Sequence, residues 1–144
     1  MSGARGLMQI TADTAAMMDF SDRHDPRASI FGGARYLARM LDTVPTRIPE
    51  PDRTWMAVAS YNVGYGHLED ARVLAQALGR NPDRWEDVRA TLPLLAQEKW
   101  YSRTRHGYAR GWEPVGYVDN VQAYLDILEA ANTDSAVGTA PVSR

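Results

Sequence analysis

The sequence predicts a mainly α-helical domain, and three observations lead to this prediction. Apolar residues recur at steps of three and four along most of the 144-residue chain, as on one face of a helix. No stretch alternates apolar and polar residues for long enough to predict a β-strand. Capping residues, prolines and glycines divide the chain into segments of helical length. The length fits one domain with a single hydrophobic core.

The N-terminal half is predicted to form three helices. Thr11 can cap a short helix over about residues 12–18. Asp25-Pro26 predicts the start of the second helix, because Asp caps well and Pro is tolerated at the first helical position. Prolines between residues 44 and 52 end it, and a largely apolar, central helix follows over about residues 53–61. The apolar stripe expected on the second helix consists of Ile30, Ala34, Leu37, Leu41 and Val44.

The C-terminal half is predicted to form three more helices. Gly64 and Gly66 precede a helix over about residues 67–78, and Gly79 is expected to cap its C-terminus. A short helix over residues 85–92 ends before Pro93, and a last helix covers about residues 116–130. Residues 132–144 are small and polar, so we predict a domain over residues 1–131 and a flexible tail over 132–144. The apolar side of the last helix consists of Tyr117, Val121, Tyr124, Leu125 and Leu128.

Charge and composition exclude several classes of protein. Lys and Arg number 16 against 18 Asp and Glu, a net charge of −2, which argues against a dedicated nucleic-acid binder. The absence of cysteine excludes disulfides, thiolate nucleophiles and cysteine-based metal sites. No stretch reaches the roughly 20 apolar residues that cross a bilayer. The first residues show no export signal, so the polypeptide as printed is expected to stay where it is made.

Two short motifs could carry chemistry. Gly3 and Gly6 precede a helix start, which indicates either a simple turn or a backbone that approaches a ligand closely, and Gln9 offers both an amide donor and an acceptor. Tyr61-Asn62 ends the apolar central helix ahead of Gly64, so a phenol and an amide lie at the edge of the core. Asn followed by Gly is also an ordinary helix terminator.

Residues 99–112 form a third segment of interest. Lys99, Arg103, Arg105, Arg110 and His106 alternate there with aromatic side chains, and no acid occurs before Glu113. Such a segment suits stacking on sugar rings or bases together with binding of anions. It equally suits a solvated loop whose aromatic side chains fill the core.

The order of these motifs resembles a known family. Gly6-Leu7-Met8-Gln9-Ile10, then Ala59-Ser60-Tyr61-Asn62-Val63-Gly64 about fifty residues later, then a helix opening with Tyr117, resemble the lytic transglycosylase domain of the soluble type. A membrane-bound subgroup is similar in three further stretches. These are Gly32-Gly33-Ala34-Arg35-Tyr36-Leu37, His67-Leu68-Glu69-Asp70-Ala71-Arg72 and Gly107-Tyr108-Ala109-Arg110-Gly111.

The resemblance implies a lysozyme-like, mostly helical fold that cleaves peptidoglycan. Such domains cut between N-acetylmuramic acid and N-acetylglucosamine without water and leave a 1,6-anhydro ring. A single glutamic acid protonates the leaving oxygen and then removes the proton from the C6 hydroxyl of the sugar, instead of the usual carboxylate pair. The expected partner is the glycan strand, in the periplasm at the outer membrane. We expect no cofactor, no metal and no nucleic acid, and we expect a monomer.

The family's site residues carry over by position. Gly6, Leu7, Met8 and Gln9 match the motif that lines the glycan cleft. Tyr61 and Asn62 match the pair beside the catalytic acid, and Tyr117 matches the tyrosine of the final motif, so Tyr61 and Tyr117 are expected to support the acid.

The catalytic glutamate itself has no counterpart in the sequence. In the family it belongs to a Glu-Ser pair a short stretch before Gly-Leu-Met-Gln, whereas Met1 lies only five residues before Gly6. We therefore expect the fold to lack the N-terminal catalytic helix, and the chain as given to be inactive.

No other acid is a convincing replacement. Glu69 and Asp70 are expected on a solvated helix face, and Asp119 near a helix start, where the dipole favours an acid. Salt bridges or caps explain the remaining candidates, which are Glu50, Glu86, Glu98 and Glu113. The spacing of His24, His67 and His106 predicts no metal site.

Three hypotheses follow. The first is a lytic transglycosylase domain that needs the missing glutamate. The second is a catalytically dead module that still binds peptidoglycan through Gln9, Asn62 and residues 99–112. The third is an unrelated helical domain that binds a partner or a nucleic acid through the basic segment alone.

Overall fold

The structure is a computed structural model that describes residues 11–18 and 24–137. Over those residues it contains helices and no strand, so the prediction of a mainly α fold is confirmed. The helices are α1 (Ala12–Met17), α2 (Pro26–Thr43), α3 (Asp52–Val63), α4 (Tyr65–Ala77), α5 (Trp85–Thr91), a 3-10 helix (Leu92–Ala96), α6 (Glu98–Tyr101) and α7 (Trp112–Val137).

Local capping sets the helix boundaries much as the sequence predicts. The side chain of Thr11 accepts a hydrogen bond from the backbone N–H of Thr14 at the start of α1. Asp25 does the same for Arg27 at the start of α2, with Pro26 next to it. Both arrangements satisfy N–H groups that have no partner inside the helix.

Gly79 terminates α4, as predicted. Its φ is +73°, its N–H donates to the carbonyl of Gln76, and the next N–H, that of Arg80, donates to the carbonyl of Ala75. This pair of bonds is the Schellman arrangement, which uses the last free carbonyls of a helix. The helix begins earlier than predicted, at Tyr65, so Gly64 alone separates α3 from α4 and Gly66 lies inside α4.

Helix α3 lies at the centre of the fold, as its apolar composition predicts. It packs against α2, α4, α5 and α7. Met56, Ala57 and Ala59 on it are fully buried. Two polar side chains tie it to its neighbours: Arg53 donates to the carbonyls of Leu41 and Val44 near the end of α2, and Asp52 accepts from the N–H of Trp85 at the start of α5.

The predicted apolar stripe of α2 is wrong in its N-terminal half. Ile30 is 49% exposed and Ala34 is exposed, whereas Leu37 and Leu41 are half-buried and Val44 is buried. The residues that α2 buries are small or flexible instead: Ser29, Gly32, Gly33 and Met40. Apolar periodicity misses this face because it scores side-chain polarity, while close helix packing selects for small size.

Helix α7 is longer than predicted at both ends. It starts at Trp112 and continues to Val137, six residues into the stretch for which a tail was predicted. The predicted apolar side is confirmed only near the start of α7, where Tyr117 and Val121 pack against the core. Tyr124, Leu125 and Leu128 are instead 70%, 41% and 58% exposed. Val118, which the stripe omits, is fully buried. The reason is that the second half of α7 extends past the core.

Two further observations concern the ends of the chain and the membrane. The predicted domain over residues 1–131 and the flexibility of the tail remain predictions, since residues 138–144 lie outside the described part of the chain. Over residues 11–18 and 24–137, no helix has the combination of length and apolar composition that crossing a bilayer requires.

Candidate functional site

Three tyrosines from three different helices, α2, α3 and α7, lie close together. The ring of Tyr61, near the end of α3, lies parallel to that of Tyr117 on α7, with centroids 6.4 Å apart and an interplanar angle of 11°. The ring of Tyr36 on α2 also contacts that of Tyr61, with centroids 5.2 Å apart and an interplanar angle of 55°. We call these three residues the tyrosine cluster. The two tyrosines that the sequence selected therefore lie side by side.

Burial makes the phenols of the cluster harder to ionise. Each of the three is half-buried. Loss of water around the hydroxyl, reinforced by the neighbouring phenols of Tyr117 and Tyr36, raises the pKa of Tyr61 to about 12. Burial also raises the pKa of Tyr117 and of Tyr36, the latter against an opposing effect of Arg39. Near neutral pH these groups are thus hydrogen-bonding phenols and cannot act as bases.

Asn62 follows Tyr61 directly on α3, and its side chain is exposed. This position lets an amide donor and acceptor face solvent next to the tyrosine cluster. Gly6, Leu7, Met8 and Gln9, the other residues predicted for the cleft, lie outside the described residues.

Sequence reasoning did not select Tyr36 as a site residue. It contacts Tyr61 across 25 positions of sequence, through the packing of α2 on α3. One signal was available, because Tyr36 belongs to the Gly-Gly-Ala-Arg-Tyr-Leu stretch that resembles the membrane-bound subgroup. Its contact with Tyr61 depends on how the two helices pack, which the motif alone does not reveal.

The prediction that Glu69 and Asp70 lie on a solvated face is wrong for Asp70. Asp70 is only 4% exposed, and its carboxylate accepts hydrogen bonds from the backbone N–H groups of Arg105 at 3.2 Å and His106 at 2.8 Å. Glu69 is partly buried and pairs with the buried Arg72. The sequence did not reveal this because the partners of Asp70 are 35 and 36 positions away. The partner of Glu69, Arg72, is close in sequence but is itself buried.

Several other acids have structural partners, as the sequence suggested. The carboxylate of Glu50 accepts from the N–H and the hydroxyl of Thr54, and Glu113 lies 3.5 Å from Arg110. Asp119, expected only to benefit from the helix dipole, also forms a 2.6 Å ion pair with Arg89.

Among the described residues, no carboxylate contributes to the raised pKa of Tyr61 or Tyr117. Nor does any group of three or more His, Asp and Glu side chains there have the arrangement of a metal site.

A family model connects this geometry to known proteins. The model described as the transglycosylase SLT domain matches residues 1–83, more than half of the chain. The chain belongs to the transglycosylase SLT domain family. The matched stretch includes Tyr36, Tyr61 and Asn62, whereas Tyr117 lies beyond it. The lysozyme-like, mainly helical architecture expected from the motifs is that of this family.

Longer proteins are similar to this SLT domain chain over most of its length. Membrane-bound lytic murein transglycosylase F 1 of Alkalilimnicola ehrlichii is 56% identical over 128 residues, which are 89% of this chain and 26% of the relative. Proteins named membrane-bound lytic murein transglycosylase F from Hahella chejuensis and Pseudomonas syringae pv. syringae are 58% and 60% identical, over 88% of this chain and 25% and 26% of theirs. The chain thus spans about a quarter of the length of these relatives.

Proposed function

We propose that this chain contributes to peptidoglycan lytic transglycosylase activity, and that the tyrosine cluster with Asn62 contacts the glycan strand next to the scissile bond. The stacking of Tyr61 on Tyr117 carries this proposal. These two residues come from separate family motifs, 56 positions apart in sequence, and their rings lie 6.4 Å apart. The relatives' names, which describe lytic murein transglycosylases, give the substrate class.

The state of the phenols suits the proposed chemistry. Non-hydrolytic cleavage requires one carboxylic acid that donates a proton to the leaving oxygen and then accepts one from the C6 hydroxyl of the same sugar. Such an acid needs a pKa raised toward neutrality, which an environment poor in water provides. Because burial keeps Tyr61 and Tyr117 protonated, their hydroxyls can donate hydrogen bonds to the ionised acid or to a sugar oxygen without competing for its proton.

The acid is proposed to come from a Glu-Ser pair ahead of Gly6. Several acids of the described chain have other roles: Asp70 holds a loop, Glu69 pairs with Arg72, and Asp119 pairs with Arg89. The 144-residue chain should therefore bind glycan without cleaving it.

Cleavage of purified sacculi tests this proposal. Two proteins are compared, the 144-residue chain and a version lengthened at its N-terminus by a segment that carries Glu-Ser at the family's spacing. The lengthened protein should release 1,6-anhydromuramoyl products, detected by mass spectrometry, and the 144-residue chain should not. Equal release by both would show that the acid lies within the chain, and release of reducing ends would show hydrolysis instead.

Site variants connect that activity to the tyrosine cluster. In the lengthened protein, Tyr61→Phe should reduce kcat by about 10²-fold, the usual range for removing a group that assists proton transfer. Tyr124→Phe, which removes an exposed phenol in the second half of α7, should leave kcat unchanged. An equal loss of kcat in the two variants would show that the tyrosine cluster has no specific role in cleavage.

The second hypothesis, a binding module without catalysis, shares the proposed glycan contacts. It would be preferred if the lengthened protein bound sacculi but released no anhydro products.

We further propose that the domain works as a monomer at the peptidoglycan layer, in the periplasm and near the outer membrane. Size-exclusion chromatography with light scattering, with and without soluble glycan fragments, checks the oligomeric state.

A further inference from the structure

Residues 99–112, which we call the basic segment, concentrate positive charge in a chain of net charge −2. Lys99, Arg103, Arg105 and Arg110 lie in it, and all four side chains are exposed. The first acid after the segment is Glu113, which lies 3.5 Å from Arg110. Among the described residues, Arg103 and Arg105 have no carboxylate within ion-pair distance.

A buried carboxylate fixes the backbone of this segment. Asp70 on α4 accepts hydrogen bonds from two consecutive backbone N–H groups, those of Arg105 and His106, and its Oδ1 lies 3.3 Å from Nδ1 of the His106 ring. Asp70 is 4% exposed, so this interaction is shielded from solvent. Farther along, the N–H of Ala109 donates to the carbonyl of Leu95 at 3.0 Å. The turn that carries Arg105 is thus held at a defined position on α4.

The ring of His106 also fits closely against α4. A Cβ at position 66 would lie 2.8 Å from this ring, so only glycine leaves the space it occupies. The ring of His67 contacts it edge-on, with centroids 6.0 Å apart. The basic segment is therefore packed against α4 at a specific position and does not extend freely into solvent.

The outward side of the basic segment combines cations with aromatic faces. Tyr108 and Trp112 are each 52% exposed. The ring of Tyr101 contacts that of Tyr108 at right angles, with centroids 5.7 Å apart, which restricts the orientation of Tyr108. A segment that exposes large aromatic side chains together with two arginines that have no acidic partner among the described residues suits a ligand that carries both rings and negative charge.

We infer that the basic segment binds the carboxylates of the peptide stems on peptidoglycan strands, as a surface separate from the tyrosine cluster. This inference rests on the proposed function for the identity of the polymer. The guanidinium groups of Arg103 and Arg105 match carboxylates, which accept two parallel hydrogen bonds from one arginine. In an intact strand the lactyl carboxyl of each N-acetylmuramic acid is amide-linked to its peptide, so the free carboxylates available to these arginines belong to the peptide stems.

A pair of double variants tests the inference. Arg103→Gln/Arg105→Gln removes the two cations, and Arg80→Gln/Arg84→Gln makes the same change of charge with exposed arginines outside the segment. Binding of the 144-residue chain and both variants is measured by co-sedimentation with intact sacculi and with amidated sacculi, in which a carbodiimide and ammonia have converted the free carboxylates of the peptide stems to amides. Circular dichroism and thermal unfolding verify that both variants fold.

The expected result is specific to sacculi whose stem carboxylates are free. The segment variant should bind intact sacculi about fivefold more weakly than the wild type does, as expected for the loss of two exposed ion pairs, and the two proteins should bind amidated sacculi equally. The Arg80→Gln/Arg84→Gln control should match the wild type on both. Added salt should weaken the wild type on intact sacculi more than it weakens the segment variant.

Other outcomes overturn the inference in distinguishable ways. Equal binding of the wild type to intact and amidated sacculi excludes recognition of the stem carboxylates and leaves the proposed function standing, whereas no binding to either rejects the proposed function itself. Equal weakening by the control variant indicates a general charge effect. Binding of duplex DNA or anionic vesicles as tightly as intact sacculi, lost in the segment variant, would make the segment a nonspecific polyanion surface.

Discussion

The guanidinium of Arg72 on α4 lies 2.6 Å from the carboxylate of Asp83, in the turn between α4 and α5. Arg72 is 6% exposed, its Nε donates to the carbonyl of Pro82 at 2.9 Å, and it also pairs with Glu69. Asp83 has a second partner in Arg47, at 2.9 Å. Partial burial raises the pKa of Asp83, but the hydrogen bonds from Arg47 and Arg72 outweigh it and hold the pKa below its usual value. Arg72 itself is therefore buried and each nitrogen of its guanidinium has a partner, whereas Arg47 at the edge of the network is 63% exposed.

Arg72→Met should therefore reduce the free energy of unfolding by about 2 kcal/mol, because it leaves Glu69 and the carbonyl of Pro82 without this donor and Asp83 with Arg47 alone. Urea unfolding followed by circular dichroism measures this loss. Arg89→Met is the matched control, since Arg89 and Asp119 are also 2.6 Å apart but 38% and 43% exposed. That variant should change stability by less than about 1 kcal/mol. A larger loss at Arg89 would contradict the role given to burial.

Local signals in the sequence predicted the helix boundaries because they act within a few residues. Thr11, Asp25 and Gly79 each form the cap that their residue type favours. The same reasoning failed for Asp70, because its partners lie 35 and 36 positions away and cross the fold. From the sequence alone, Asp70 resembles a member of a solvated salt bridge because Arg72 follows two positions later. Its burial depends on how α4 packs in the core, which local sequence does not show.

The candidate site was predictable to the extent that it belongs to motifs. Tyr61 and Tyr117 could be selected from a resemblance, and they do meet. The contribution of Tyr36 could not be selected, because it depends on which side of α2 faces α3, and apolar periodicity assigned that side incorrectly. Ile30 is apolar yet 49% exposed, while Gly32 and Gly33 are buried.

Gly111 should tolerate no side chain. A Cβ at this position would lie 1.7 Å from the carbonyl oxygen of Leu92, so Gly111→Ala must displace the backbone of the 3-10 helix or of α7. We expect a loss of about 3 kcal/mol in the free energy of unfolding, at the upper end for overpacking. Thermal or urea unfolding measures it.

Gly116→Ala in the same region is the control for Gly111→Ala. Nothing lies within 4 Å of a Cβ at position 116, which is exposed inside α7. Alanine should stabilise the protein there by about 0.5–1 kcal/mol, because glycine is the weaker helix former. Destabilisation by both variants to the same extent would mean that the contact at Leu92 is not the cause.

Asp70→Ala should release the basic segment and destabilise the fold. It leaves the N–H groups of Arg105 and His106 without an acceptor, which costs about 2–4 kcal/mol for two charge-assisted bonds. Asp70→Asn should cost less, since the amide oxygen can still accept one of the two bonds. Hydrogen exchange monitored by mass spectrometry should show faster exchange over residues 103–108 in Asp70→Ala. Asp126→Asn, an exposed acid on α7, serves as the control; exchange of residues 103–108 that is equally fast in that variant would contradict the role of Asp70.

The pKa of Tyr61 makes stability depend on alkaline pH. Burial, together with the phenols of Tyr117 and Tyr36, raises this pKa to about 12, whereas a tyrosine in the unfolded chain has its ordinary pKa of 10.0. Between these values the unfolded state releases the proton more readily than the folded state does. The stabilisation from a neutral Tyr61 is therefore fully present below pH 10 and is lost as the pH rises toward about 12.

Two measurements check this dependence. The absorbance of ionised phenol should show a titration phase near pH 12, which Tyr61→Phe removes and Tyr124→Phe leaves intact. The free energy of unfolding should fall between pH 10 and 12, and it should fall less steeply in Tyr61→Phe than in Tyr124→Phe. Because both substitutions remove one phenol from the unfolded chain, the difference between them reports the folded environment of Tyr61. An identical decline in the two variants would mean that Tyr61 ionises as readily in the folded protein as an exposed tyrosine, and the cluster would then lack the shielding from water on which its proposed role beside the acid depends.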